Sequence, residues 1–202
     1  MIKFKYPLTL FLFLSLSFYG YGQDSIIKHT WYIPNHAVLQ YAGDVGMFSA
    51  GIGFQSKKEH FQYQFTVGYV PKAYVDKKHT LVTLNTLLNY SPLFFNLEEI
   101  NVRVSPIVIS LGGSYSFGEQ FTKFHDSNYP QGYYWWPKSA RIICSFGHAG
   151  RIDLSKYLNH IDAIELFSQF TTNDLALYSY SENTIVKFKH IFHYSCGMKV
   201  YF

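Results

Sequence analysis

The chain has 202 residues, of which 20% are aromatic and only 15% charged, with a formal net charge of +4. One ordinary domain fits this length, and nucleic-acid binding is not expected, because removing the leader with Lys3 and Lys5 lowers the charge from +4 to +2. A mean hydropathy of −0.03 and the lack of an internal run of about 20 apolar residues exclude a bundle of membrane-spanning helices.

The first segment has the pattern of a secretory signal peptide. Lys3 and Lys5 precede an apolar run, residues 7–18, and Gly20-Tyr21-Gly22 supplies small residues at the positions that a signal peptidase reads. We therefore predict a signal peptide at residues 1–22 and one exported domain at residues 23–202.

Alternation of apolar and polar residues predicts eight strands in this domain. It is clearest in the third, where Phe61, Tyr63, Phe65, Val67 and Tyr69 alternate with polar or small residues. Pro106 predicts a bulge in the fifth strand, because proline cannot donate to a ladder. The predicted strands are residues 36–42, 45–55, 61–69, 79–91, 100–116, 138–149, 161–173 and 184–202.

The connections are predicted as turns and loops. Residues 56–59 and 94–99 form short turns, and residues 151–160 form a helical turn. Residues 174–183, rich in Tyr and Ser, are predicted as a loop. The longest segment without alternation is 117–137, which we expect to face outward from the cell, where the loops of membrane barrels are long.

The last strand is the strongest indication of protein class. Counting back by two from Phe202 to Phe188 gives an almost wholly apolar face, and the opposite parity carries Lys, Ser and His. Such faces suit lipid outside and water inside. A long amphipathic strand ending in Phe, after an export signal, resembles the small Gram-negative outer-membrane β-barrel proteins.

The resemblance implies an all-β fold, an antiparallel up-and-down transmembrane β-barrel of about eight strands. It implies location in the outer membrane with both termini in the periplasm, contact with outer-membrane lipid, and assembly by the barrel-assembly machinery through the strand ending at Phe202. We expect a monomeric, non-enzymatic protein of structural or surface-interaction type, with no cofactor and no metal.

A barrel of this size is only just wide enough for its own side chains. We therefore predict that the lumen is filled by ion pairs and hydrogen bonds, since buried charges must be paired. The charged residues predicted for this network are Arg103, Arg141, Glu165, Lys187, Lys189 and Lys199.

A catalytic interpretation starts from His193-Tyr194-Ser195, since residues two apart share a face of a strand. This His-x-Ser is similar to that of the outer-membrane lipid A deacylases. The resemblance implies Ser195 as nucleophile and His193 as base, with Glu165 as the acid if it lies opposite His193 across the last hairpin. The alternative function is thus a lipid A-modifying acyl hydrolase or acyltransferase, although parity places His193 and Ser195 in the lumen.

Of four further features, three have two interpretations each. The aromatic run Tyr133-Tyr134-Trp135-Trp136 could stack on sugars of a glycan ligand or belong to an aromatic girdle. His190 could be catalytic or a girdle residue. His125 and Asp126 are too few for a zinc site. Cys144 and Cys196 are expected as free thiols on lipid-facing strands, with a disulfide as the alternative.

Overall fold

The computed structural model describes residues 33–75, 79–118, 139–182 and 187–202, so the predicted signal peptide, His125, Asp126 and the aromatic run at residues 133–136 lie outside the described residues. Nine strands are present in this part of the chain. They are β1 (His36–Ala42), β2 (Phe48–Gln55), β3 (Phe61–Val70), β4 (Leu81–Tyr90), β5 (Phe95–Leu97), β6 (Val102–Phe117), β7 (Ala140–Asp153), β8 (Ala163–Asn173) and β9 (His193–Tyr201).

Eight of these strands form a closed barrel. Their order is β4-β3-β2-β1-β9-β8-β7-β6, and β4 also pairs with β6, so the sheet returns to its starting strand. All pairings are antiparallel, and the first and last strands meet with His36 opposite Tyr201. Strand β5 pairs only with β6. The predicted all-β, up-and-down barrel of eight strands is confirmed.

The barrel wall has its polarity inverted relative to a water-soluble protein. On β3, the apolar side chains from Phe61 to Tyr69 are between 41% and 52% exposed, whereas Gln62, Gln64 and Thr66 are 5%, 3% and 2% exposed. The same alternation continues around the wall, because successive side chains of a strand point to opposite faces. Further exposed apolar residues are Leu39, Phe48, Ile52, Leu88, Ile109, Leu111, Phe146, Leu166 and Phe170; further buried polar residues are Gln40, Ser49, Asn85, Asn89, Ser110, Ser145, Gln169 and Thr171.

The hairpin between β1 and β2, residues 43–47, folds into one end of the barrel. Its backbone has positive φ at Gly43 (82°) and Gly46 (122°), conformations that glycine adopts without strain. Val45 is buried in a cluster with Leu87 and Ile143. Its carbonyl accepts hydrogen bonds from Thr83 Oγ1 (2.6 Å) and Asn85 Nδ2 (2.9 Å), which hold the hairpin inside the lumen. We call this the hairpin end, and the opposite end, near Asn35 and Phe202, the terminal end.

Several connections differ from the predictions. Strand β7 continues to Asp153, so residues 151–153 belong to a strand instead of the predicted helical turn. Residues 95–97 form the short strand β5 where a turn was predicted. Two short helices are present: α1 (Lys72–Val75) has four residues, and α2 (Asp174–Glu182) replaces the loop predicted after residue 173. The predicted bulge is confirmed by a register shift between Ser105 and Val108, which flank Pro106.

Among the described residues, no helix has the length and apolar character needed to cross a membrane.

The last strand is shorter than predicted, because β9 begins at His193 and not at residue 184. His193 already pairs with Thr171, close to the end of β8, where Asn173 Oδ1 accepts the Ala176 amide (2.9 Å) at the start of α2. Just before β9, the amides of His190 and Ile191 donate to the Lys187 and Phe188 carbonyls. Phe188–His190 instead forms a 3-10 turn. The parity of the remaining strand is as predicted, with Ser195 and Lys199 buried.

Candidate functional site

The first cluster in the lumen is a closed circuit of four side chains near the terminal end, which we call the polar ring: Gln62, Glu165, Lys199 and Tyr201. Lys199 Nζ donates to Glu165 Oε1 (2.6 Å) and to Gln62 Oε1 (2.5 Å). The Tyr201 hydroxyl donates to Glu165 Oε2 (2.9 Å) and accepts from Gln62 Nε2 (3.1 Å). Each side chain thus has two partners inside the ring, and the two buried charges of Lys199 and Glu165 are paired with each other and hydrogen-bonded to neutral groups, as burial requires.

Cationic and aromatic groups surround the polar ring. The Arg151 guanidinium lies 4.0 Å from the centroid of the Tyr201 ring, and Lys199 Nζ lies 5.1 Å from the centroid of Phe167. The His36 ring lies 4.9 Å from the Tyr201 ring. Phe167 also belongs to an apolar cluster with Val38, Val108 and Ala149, and together these groups enclose the polar ring.

The structure separates the predicted lumen network into four groups. Glu165 and Lys199 form its buried pair. Arg103 lies at the terminal end, where its guanidinium is paired with Glu59 and donates to Asn96 Oδ1 (3.0 Å). Arg141 lies at the hairpin end. Lys187 and Lys189, with His190, are exposed and precede β9, so they do not join the lumen.

Three members of these clusters were missed by sequence reasoning. Gln62 and Tyr201 lie at inward-facing positions of their strands, but the predicted network contained only charged residues. Arg151 was assigned to a turn. Its Nη1 donates to Gln55 Oε1 (3.2 Å), and this guanidinium shares the carboxylate of Glu59 with Arg103.

His193 and Ser195 share the inward face of β9 but have different partners. Ser195 is fully buried; its hydroxyl donates to the Gln169 carbonyl (3.4 Å) and lies 3.4 Å from Thr171 Oγ1. A Cβ at Gly43 would lie only 3.0 Å from Ser195 Cβ, so the hairpin backbone covers the serine. His193 is half exposed, and its Nδ1 lies 3.2 Å from Asp44 Oδ1.

The predicted register of Glu165 against His193 was wrong. Glu165 pairs with Lys199, and His193 pairs with Thr171, so the carboxylate and the imidazole lie at opposite ends of β8. The acid that contacts His193 is Asp44 of the hairpin, whose Oδ1 also accepts a hydrogen bond from Asn173 Nδ2 (2.8 Å). Asp44 lies in a turn, outside any alternating pattern, which is why sequence reasoning did not find it.

The Asp44–His193 pair borders an open cavity of about 690 Å³, which we call the hairpin-end cavity. Residues of six strands, of the hairpin and of helix α1 contribute to its wall. Its polar lining residues are Asp44, Thr83, Ser114, Ser116, Arg141 and His193; its apolar and aromatic ones are Tyr41, Met47, Val70, Tyr74, Leu81, Phe192 and Tyr194.

A histidine and a serine are in contact on the outer wall. His148 Nε2 of β7 and Ser168 Oγ of β8 are 3.1 Å apart, and the two residues are directly paired across the ladder. The bulge at Pro106 interrupts the neighbouring β6 opposite this site. Sequence reasoning missed the pair, although the parity of the two predicted strands placed both residues on the lipid-facing side.

The two cysteines are free, as predicted, and lie on different strands, Cys144 on β7 and Cys196 on β9. Among residues 33–75, 79–118, 139–182 and 187–202, no group of three or more His, Cys, Asp and Glu side chains is placed to hold a metal ion.

Comparisons of the chain with protein-family models, with curated proteins and with solved structures gave no match. The functional conclusion therefore rests on the outer wall, the polar ring and the hairpin-end cavity.

Proposed function

We propose that this chain is an integral outer-membrane β-barrel protein of structural or surface-interaction type, a non-catalytic monomer whose outer wall contacts lipid. The observation that carries this proposal is the inverted polarity of the wall. Phe65 is 41% exposed between Gln64 and Thr66, which are almost completely buried. In water, an apolar belt of this extent would promote association, whereas in a bilayer it is the expected surface of a barrel.

The strand lengths support a membrane location. Strands β3 and β4 have 10 residues each and β8 has 11, which matches the roughly 9–11 residues that a tilted strand needs to cross the hydrocarbon core. Closure of the sheet also pairs the backbone groups that an edge strand would leave open to lipid.

The filling of the lumen argues against transport of solutes. The polar ring occupies it near the terminal end, and Val45 with Leu87 and Ile143 occupies it beneath the hairpin. An eight-stranded barrel has little space beyond its own side chains. A structural role, or recognition at the hairpin end, fits this arrangement better than conduction.

Membrane fractionation of the tagged protein tests the proposal, followed by gel mobility with and without boiling in detergent. We expect the protein in the outer-membrane fraction, with a mobility that changes on boiling because the closed barrel resists detergent until heated. A protein that stays soluble without detergent would contradict the lipid-facing assignment of the outer wall.

The second candidate is an acyl hydrolase or acyltransferase acting on outer-membrane lipid, and the His148–Ser168 contact favours it. A histidine that removes the proton of a serine hydroxyl makes a nucleophile. However, Ser168 lies midway along β8, at the depth of acyl chains, whereas ester linkages lie near the head groups. We therefore prefer the non-catalytic function, and lipid profiling of serine variants distinguishes the two.

A further inference from the structure

The chain between α2 and β9 carries an exposed cluster of basic side chains. Lys187, Lys189 and His190 lie on or directly before the 3-10 turn Phe188–His190, and all three are exposed. Because β8 ends and β9 begins at the hairpin end, this cluster lies at the same end, at the rim of the outer wall. We call residues 187–190 the basic turn.

The charge of the basic turn is not neutralised by neighbouring carboxylates. No Asp or Glu occurs from residue 183 to residue 202. In the described part of the chain, the carboxylates that form ion pairs are Asp44, Glu59 and Glu165, and none of these pairs includes a residue of the basic turn. The preceding acid in the sequence is Glu182, one carboxylate against two lysines. The turn therefore presents net positive charge at this rim.

Apolar contacts hold the basic turn against the barrel. Ile191, which follows it, is 2% exposed, and its amide donates to the Phe188 carbonyl (3.3 Å). The Phe188 ring packs between Tyr180 of α2 and Phe192, with centroids 6.0 and 4.9 Å away. The basic side chains thus project from an anchored backbone, and a ligand that binds them has less chain to order than on a free loop.

An aromatic path leads from the basic turn down the outer wall. Neighbouring rings lie 5.6 Å apart, centroid to centroid, in the order Phe192, Phe146, Phe170 and Tyr194. The last three belong to β7, β8 and β9 and are between 45% and 56% exposed. Together with Phe188, which is 62% exposed, they form a continuous apolar surface with cations at its upper edge.

This arrangement selects the class of ligand. Lysines at a membrane surface attract anionic head groups, and an exposed aromatic surface directly beside them packs against an apolar chain. An acidic protein that bound the basic turn from outside the membrane would leave Phe146 and Phe170, further along the wall, uncovered. A lipid with an anionic head group contacts both parts at once.

We propose that the basic turn and the aromatic path form a binding site for one anionic lipid. Its phosphate head group lies at Lys187 and Lys189, and an acyl chain lies along Phe188, Phe192 and Phe146. The proposal deepens the proposed function and rests on it, because the aromatic path meets acyl chains only where the outer wall lies in a bilayer.

Two lipids with identical chains test the head-group preference, dimyristoylphosphatidic acid and dimyristoylglycerol, since only the first carries a phosphate. The full chain is folded in the neutral detergent dodecyl maltoside, and bound lipid is measured by native mass spectrometry during titration. We expect saturable binding of phosphatidic acid, at least about tenfold tighter than that of the diacylglycerol, because two lysines contribute. Excess inorganic phosphate should not displace the lipid, since it makes no contact with the aromatic path.

The double variant Lys187→Gln with Lys189→Gln should remove this preference. The matched control is Lys57→Gln with Lys58→Gln, an exposed pair between β2 and β3 at the terminal end, which lowers the net charge by the same amount. The control should keep the wild-type preference. In phosphatidylcholine bilayers, whose head groups have no net charge, we expect neither lysine of the basic turn to affect unfolding.

A third variant, Phe188→Ala, tests the apolar part of the site. It should weaken the binding of both lipids several-fold and preserve the preference for the phosphate. Equal affinities of the wild type for the two lipids, displacement by inorganic phosphate, an unchanged preference in the Lys187 and Lys189 variant, or an equal loss in the control would each overturn the proposal. Each variant is first shown to be folded by its change of gel mobility on boiling. A chain that is soluble without detergent would instead overturn the proposed function.

Discussion

Lys199 and Glu165 lie directly opposite each other across the β8–β9 ladder, with Nζ 2.6 Å from Oε1 and neither side chain more than 7% exposed. Two buried charges are tolerated when each neutralises the other and every remaining hydrogen-bonding group has a partner. Gln62 and Tyr201 supply those partners, so the stability of the pair depends on the whole polar ring.

Removing one charge of this pair should be strongly destabilising. Lys199→Met leaves the Glu165 carboxylate buried and uncompensated, and we expect the free energy of unfolding to fall by about 3–5 kcal/mol. In the double variant Lys199→Met with Glu165→Gln, a neutral amide can still accept from Tyr201, and most of the loss should be recovered. Urea unfolding of the barrel in liposomes measures both.

The exposed Lys187 provides the control for this experiment. Lys187→Met should change the free energy of unfolding by no more than about 0.5 kcal/mol, as is usual for surface substitutions. If Lys199→Met were equally mild, the polar ring would not be the buried, closed circuit described above.

Gly68 should be essential for the position of the hairpin. A Cβ at this residue would overlap the Val45 carbonyl oxygen and Thr83 Oγ1, the two atoms whose hydrogen bond holds the hairpin in the lumen. We expect Gly68→Ala to lower the free energy of unfolding by about 1–3 kcal/mol or more, because the backbone must move to relieve the overlap. Proteolysis in the hairpin should also become faster.

Gly150 is the matched control, because nothing lies within 4 Å of a Cβ built there. Gly150→Ala should leave the barrel unchanged or about 0.4–1 kcal/mol more stable through reduced freedom of the unfolded chain. A similar effect of the two substitutions would show that the hairpin is not held against Gly68.

The fold was predictable because each wall strand has one apolar and one polar face, so that alternation marks strands directly. The alternation was less informative about where each strand begins and ends. The apolar parity continues back to Phe188, yet β9 begins at His193, because both neighbouring strands end near there: β1 ends opposite Ser195, and β8 extends only two residues past Thr171, the partner of His193. Where a strand ends therefore depends on its neighbours as well as on its own sequence.

The candidate site was less predictable than the fold. Parity assigns a face but not a register, and for this reason Glu165 was placed against His193 when its partner is Lys199. The carboxylate that contacts His193 belongs to Asp44, far away in the chain and in a turn whose inward position depends on Val45 and Gly68. Such a contact exists only once the barrel has closed.

Replacing the serines separates a structural barrel from an enzyme. Ser195→Ala removes one long hydrogen bond to Gln169, and we expect normal assembly with a loss of about 0.5–1.5 kcal/mol. Ser168→Ala should have a smaller effect. Both strains should retain the lipid A and phospholipid profile of the wild type, measured by mass spectrometry. Loss of a lipid product in Ser168→Ala, with the barrel still assembled, would favour the acyl hydrolase or acyltransferase.

The outer wall can be tested for lipid contact by placing a charge at two depths of one strand. Phe65 lies near the middle of β3 and Phe61 at its start, and both are outward and similarly exposed, 41% and 48%. In a bilayer, Phe65→Lys should lower the free energy of unfolding by about 2–4 kcal/mol and Phe61→Lys by about 0–1 kcal/mol, since the penalty for a charge falls towards the interfaces. In water, each substitution would add a charge to a solvated surface, and the change in the free energy of unfolding would not depend on the position along the strand. Unfolding in liposomes measures the difference, and equal effects at the two positions would contradict a lipid-embedded wall.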